Sequence, residues 1–292
     1  MTKYCNYTII LHKYVLGPRG EFLFATYTLI LLPYIFFLYH DSGVLWSHGF
    51  HFLLITQNIC LITSVVALTL TALTDPGICV PQETTEVHED FRSEFIVEHI
   101  NGVRMNRKWC ETCKHYRPLR ARHCREVDAC VKRFCHFCPW TNNAIGLRNH
   151  RLFVIFVLST CLVCWKTFIG IMLVAGYGNK TADTEGFFVE LFYPLHRYIV
   201  LVYALTIGAS LTHLGVYHLK LTSLNMTTAE DVKGDFRNGN PFSLSATENR
   251  KAFWLHPLPD SELMRILVIT PIPQTLGIQG NAIELSSMRP TE

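Results

Sequence analysis

Four long apolar stretches limit what this chain can become more than any other feature it has. They run from Phe22 to Tyr39, Phe52 to Leu73, Leu152 to Tyr177 and Tyr198 to His218. A helix needs about 18 or more mostly apolar residues to cross roughly 30 Å of hydrocarbon, and each stretch meets or approaches that length. The expected fold class is an α-helical integral membrane protein with four transmembrane helices. The first stretch is too long for a leader core and has no clear small-residue cleavage site, so it reads as a retained span. The expected organisation is a transmembrane hairpin over residues 1–75, a cysteine-rich domain over 76–151, a second hairpin over 152–218 and a tail over 219–292.

Orientation follows from the basic residues. The loop His40 to His51 has no Lys or Arg, and Gly178 to Arg197 has only Lys180 and Arg197 set against Asp183, Glu185 and Glu190. The segment between the second and third spans is crowded with them, from Arg104 to Arg151. That segment and both termini are expected to be cytosolic. A formal charge of +3 over 292 residues, 49% of them hydrophobic, argues against a nucleic-acid partner and against a disordered chain.

Six of the eleven cysteines fall between Trp109 and Phe153. On the cytosolic side they stay reduced, which favours metal binding or thiol chemistry over disulfides. Cys110 and Cys113 form a C-x-x-C pair followed by His123 and Cys130, a ligand set suited to a closed tetrahedral zinc ion. Further on, His136 and Cys138 lie two residues apart, a thiol near an imidazole able to take its proton. Glu94 to Val103 reads as a short extended or hairpin segment around Asn101-Gly102, and Asp75-Pro76-Gly77 as the stop of the second span. Residues Met1 to Glu21 read as a short lead. Lys166, inside the third span, is expected to face the bundle interior or to snorkel. Asn179-Lys180-Thr181 is a glycosylation sequon on the non-cytosolic side.

In order along the chain stand Cys110-x2-Cys113, Arg117-Pro118-Leu119-Arg120, His123-Cys124, the tetrad Cys135-His136-Phe137-Cys138 and Pro139-Trp140-Thr141-Asn142-Asn143. Thr227-Thr228-Ala229-Glu230 and Asn240-Pro241-Phe242 follow the last span, with Asn249 beyond. This array resembles the DHHC-type protein S-acyltransferases (palmitoyltransferases). The resemblance covers roughly Asp75 to Asn249. It implies a zinc-bearing domain of short β-hairpins between the second and third spans and an acyl-CoA co-substrate, palmitoyl-CoA above all. It implies acyl transfer through Cys138 to cysteines of membrane-associated proteins, with His136 as base, the bilayer housing the acyl chain, and residence in the Golgi or endoplasmic reticulum. Lys132, Arg133 and Arg148 are candidates for holding the CoA phosphates.

Two departures from the family pattern carry weight. The resemblance implies two zinc sites. The first maps onto Cys110, Cys113, His123 and Cys130, but the second maps onto Cys124, Val127, Phe137 and Ala144, three of which cannot ligate. One zinc ion is expected, with a small apolar cluster packing the second position. The tetrad's first residue is Cys135 where the family has the aspartate that orients the histidine. Loss of that orienting group implies reduced rather than absent activity, since a cysteine nucleophile depends less on its base. The alternative from another class is a non-catalytic, zinc-bearing membrane adaptor for substrates or partner acyltransferases.

Overall fold

A computed structural model describes residues 2–11, 13–80, 94–177 and 187–264; the sequon at Asn179 and the tail beyond 264 lie outside these residues. Among the described residues, four helices are long and apolar enough to cross a membrane, within α1 (Gly20–His40), α3 (His51–Leu73), α4 (His150–Gly176) and α5 (Phe187–Ser223). A short helix, α2 (Ser42–Ser47), fills the turn between α1 and α3. Helix α4 is the most buried, with α3 and α5 against it. Apolar side chains gain little by leaving lipid for protein, so small and polar residues set the contacts between spans. Gln57 donates to Thr167 (2.9 Å), Ser64 pairs with Thr160 (2.6 Å) and Lys166 donates to Thr56, a polar seam between α3 and α4. Lys166 thus faces the bundle interior. A Cβ at Gly170 would meet the Phe37 ring at 2.8 Å, so only glycine lets α1 and α4 approach there.

Between α3 and α4 the chain forms short antiparallel hairpins. Strands β4 (Phe95–Ile100) and β5 (Val103–Cys110) turn at Asn101 and Gly102, both at positive φ (49° and 78°), the left-handed pair that an Asn-Gly turn supplies. Strand β6 (His115–Tyr116) adds to β5, and β7 (Arg122–Cys124) pairs with β8 (Ala129–Val131). Strand β9 (His136–Cys138) pairs with β10 (Asn143–Ile145) around a single 3-10 turn at Pro139–Thr141. After α5 come two short capped helices, α6 (Thr228–Lys233) and α7 (Ala246–Leu255).

The N-terminal lead is more than a lead. Residues Thr2–Tyr4, Tyr7–Ile10 and Tyr14–Leu16 form a three-stranded antiparallel sheet, β1 to β3, that lies on the cysteine-rich domain. Tyr7, Ile9 and Val15 point inward and are almost wholly buried against Cys124, Val127, Ala144 and Phe137. These last four are the residues at the second zinc position, and they do form an apolar cluster. Cys124 is buried within it, its thiol donating to Glu126. The sheet is fixed by the Asn6 N–H donating to the Val127 carbonyl (3.2 Å) and the Tyr7 hydroxyl donating to Asn143 (2.7 Å).

At Asp75-Pro76-Gly77 the α3 helix has ended, and buried Asp75 accepts from the N–H groups of Gly77 and Ile78 (both 2.9 Å) and from Ser261 (2.5 Å). Arg148 also reaches it, at 3.2 Å. One carboxylate therefore joins the second span, the hairpin domain and the tail, a larger part than that of a helix stop.

Candidate functional site

The first ligand set assembles across two hairpins. Cys110 ends β5 and Cys113 lies in the turn to β6, while His123 and Cys130 face each other across the β7–β8 ladder. Their four donor atoms all lie within 4.8 Å of one another, with His123 Nδ1 3.7 Å from Cys110 Sγ and 3.3 Å from Cys113 Sγ. A tetrahedral zinc with bonds of about 2.3 Å to sulfur and 2.0 Å to nitrogen separates such atoms by roughly 3.5 Å. The four residues fit the ion. Asp128 lies 3.5 Å from His123 Nε2, the outer partner that leaves Nδ1 free to ligate.

The tetrad occupies β9 and the residue before it. Side chains alternate along a strand. Phe137 accordingly packs into the apolar cluster under the N-terminal sheet, while Cys138 lies on the other side among Ile30, Leu68, Phe153 and Val157 from the spans. Cys138 is 6% exposed, and burial pushes its thiol above the ordinary range despite hydrogen bonds at Thr141. Burial, aided by neighbouring His218, draws His136 down to about 4, so its imidazole is neutral at physiological pH.

His136 Nδ1 faces Cys135 Sγ at 3.4 Å. Cys135 is itself buried, which pushes its thiol up to about 11. Its sulfur donates to the Thr228 hydroxyl (3.3 Å) and receives the Thr228 N–H (3.4 Å). The sulfur therefore stands on the Nδ1 side of the imidazole, where an orienting acceptor belongs, but as a neutral thiol.

The asparagines hold this hairpin in place. Asn143 donates to the carbonyls of Thr71 (2.9 Å), Ala72 (3.1 Å) and Thr74 (2.9 Å), filling the open acceptors at the end of α3. Asn142, in the left-handed region at φ 51°, donates to the Gly17 carbonyl (2.9 Å), and a Cβ on Gly17 would collide with its backbone oxygen. Thr227 and Glu230 form a capping box on α6, and Glu230 also takes a two-point ion pair from Arg120 (2.7 and 2.8 Å). The capping signal and the Arg117-x2-Arg120 motif are thus two ends of one buried contact.

The three basic candidates for CoA are all engaged within the chain. Lys132 pairs with Glu262. Arg133, half-buried, donates to Asn225 (2.6 Å), and Arg148 reaches Asp75 and the Pro259 carbonyl. Sequence reasoning passed over His150 and His218, and met Thr228 only as a member of the Thr-Thr-x-Glu motif. All three stand around Cys135, and they come from the starts of α4 and α6 and the far end of α5.

A membrane helix bundle bearing hairpins with a cluster of three cysteines and one histidine, and a Cys-His-x-Cys strand set against the spans, defines the class of protein. Residues 103–235 match the family model described as DHHC palmitoyltransferase. Similar relatives are palmitoyltransferase ZDHHC8 of Drosophila melanogaster, 32% identical over 77% of this chain, and ZDHHC5-B of Danio rerio, 33% identical over 78%. Palmitoyltransferase ZDHHC5 of Homo sapiens is 34% identical over 70% of this chain. The matched regions span 24%, 32% and 26% of these relatives, so the chain corresponds to about a quarter to a third of their length. The chain belongs to the DHHC-type family.

Proposed function

We propose that this chain is a protein S-acyltransferase that moves a fatty acyl group from acyl-CoA to cysteine thiols of membrane-associated proteins. The observation that carries the proposal is the position of Cys138, whose sulfur sits in an apolar cluster built by the spans, with a neutral imidazole two residues away on the same strand face. Ile30 belongs to this cluster and also lines a groove between α1, α4 and α5 with Pro33, Tyr34, Val163 and Ala204. An acyl chain lying along α1, α4 and α5 from this cluster would leave water for apolar surroundings, each buried CH2 contributing about 0.8 kcal/mol.

In the reaction Cys138 gives its proton to His136, whose Nδ1 rests on Cys135 and whose Nε2 is the nitrogen left to act as base. The thiolate attacks the acyl carbonyl, the carbon–sulfur bond to CoA breaks, and His136 returns the proton to the leaving CoA thiolate. An acceptor thiolate then attacks the acyl-enzyme, and Cys138 leaves as the new thioester forms. One thioester replaces another at each step, so the exchange is near thermoneutral.

One zinc ion on Cys110, Cys113, His123 and Cys130 holds the hairpins; its bond energy belongs to local folding. Lys132, Arg133 and Arg148 remain the candidates for the CoA phosphates, each half-buried and engaged within the chain. The basic segment between the spans supports a cytosolic domain and cytosolic termini, and the family points to the Golgi or endoplasmic reticulum. A second reading, a non-catalytic zinc-bearing adaptor, has one observation in its favour: the acceptor beside His136 is a neutral thiol rather than a carboxylate. Incubation of the purified chain with labelled palmitoyl-CoA separates the two. Hydroxylamine-sensitive label that is absent from Cys138→Ser supports transfer, and an unlabelled wild type supports the adaptor.

A further inference from the structure

We propose that Cys135, His150 and His218 form a second metal site, distinct from the Cys110 cluster and from the apolar position around Cys124, and that it takes a thiophilic monovalent cation, copper(I). The three residues are contributed by the β9 approach and the facing ends of α4 and α5, and each is at most 3% exposed. Their donor atoms lie within 4.8 Å of one another. His150 Nε2 is 3.2 Å from His218 Nδ1 and 4.0 Å from Cys135 Sγ. A three-coordinate ion bound to two nitrogens and one sulfur at about 2.0 and 2.3 Å spaces its ligands by roughly 3.5 Å, between the two observed separations.

Charge and surroundings select the ion. The trio is packed by Phe153 and Phe253, with ring centroids 5.1 Å from His218 and 5.2 Å from His150 respectively. Arg133 lies nearby, and the carboxylate of Glu230 is already committed to Arg120. A divalent ion on one thiolate and two neutral imidazoles leaves a buried net positive charge beside an arginine, which is costly. A monovalent ion leaves none. Thiolate is a donor that soft cations prefer and imidazole one that copper accepts, and three ligands suffice for copper(I). Binding forms a copper–sulfur bond as the Cys135 proton departs, and no electron changes hands. The site arises from the replacement at the first position of this tetrad, since the family's aspartate offers no sulfur. It stands whether or not Cys138 transfers acyl groups.

The test is metal content of the full chain, purified in detergent under reducing conditions and equilibrated with copper(I) buffered by a chromogenic copper(I) chelator. The wild type is expected to hold one copper beside one zinc, with an X-ray absorption spectrum of one sulfur and two nitrogens around copper. Cys135→Asp and His218→Gln are expected to lose the copper and keep the zinc, which reports that the hairpins are folded. Cys60→Ser and Cys164→Ser, elsewhere in the spans, are expected to keep both. Copper retained by both ligand variants, a spectrum of three or four sulfurs that marks displacement of zinc from the Cys110 cluster, or no copper in the wild type would each overturn the proposal. A second zinc lost with His218→Gln would overturn the choice of ion.

Discussion

At the scale of the residue, the proposed chemistry turns on two buried sulfurs. Cys138 titrates above the ordinary thiol range because it is desolvated, so its thiolate is scarce at neutral pH and its population grows as pH rises. With His136 taking the proton, acyl-enzyme formation from palmitoyl-CoA is expected to be nearly flat from about pH 7 to 9 in the wild type, and in His136→Ala to accelerate about tenfold per pH unit as the thiolate population grows. A single-turnover pH series on both chains checks this, and a wild-type rate that climbs tenfold per unit would mean that His136 does not take the proton. Cys135 poses the complementary question. Cys135→Asp restores a charged acceptor to His136 Nδ1 and is expected to raise turnover by about tenfold or more, against a loss of roughly 10⁴ for the corresponding change in a serine-protease triad. Cys135→Ala is expected to lower it. His136 and Cys138 were legible because they are neighbours in one contiguous motif. His150, His218 and Thr228 reach the same place from distant elements, and spacing along the chain does not encode those contacts.

At the scale of elements, separate pieces are locked to one another by a few buried polar contacts. Arg120 and Glu230 tie the zinc hairpins to α6 with side chains only 10% and 3% exposed. Arg120→Ala leaves a buried carboxylate without its partner and is expected to cost about 3–5 kcal/mol, read as a lowered midpoint of thermal unfolding in detergent. The N-terminal sheet is the element that the sequence concealed, since strands of three or four residues are too short for a clear alternation to stand out. It now packs the second ligand position, with Tyr7 fully buried at its centre. Tyr7→Phe is expected to cost about 0.5–1.5 kcal/mol through the hydrogen bond to Asn143, and Tyr7→Ala about 3–5 kcal/mol through the cavity as well. By contrast the β4–β5 hairpin was readable from Asn101-Gly102 alone, because few turns other than this type seat two left-handed residues in succession.

At the scale of the whole molecule, a cysteine-rich domain is held to the end of α3 by Asp75 and Asn143 and to α6 by Arg120, and the sulfur of Cys138 ends up at the joint with the spans. The spans and the zinc ligands stood out in the sequence because length, hydropathy and cysteine spacing are local signals; the joint did not, because it is made of long-range hydrogen bonds. An acyl chain lying between α1, α4 and α5 predicts that Ala204→Phe, which adds bulk at a buried position lining the small cleft there, reduces transfer from palmitoyl-CoA more than from a shorter acyl-CoA. Competition between the two thioesters measures that ratio. The most direct test of the central claim is intact-mass analysis of the purified chain after brief exposure to palmitoyl-CoA. The account predicts one added palmitoyl group that hydroxylamine removes and that Cys138→Ala lacks, and an equal, hydroxylamine-sensitive adduct on Cys138→Ala would contradict it.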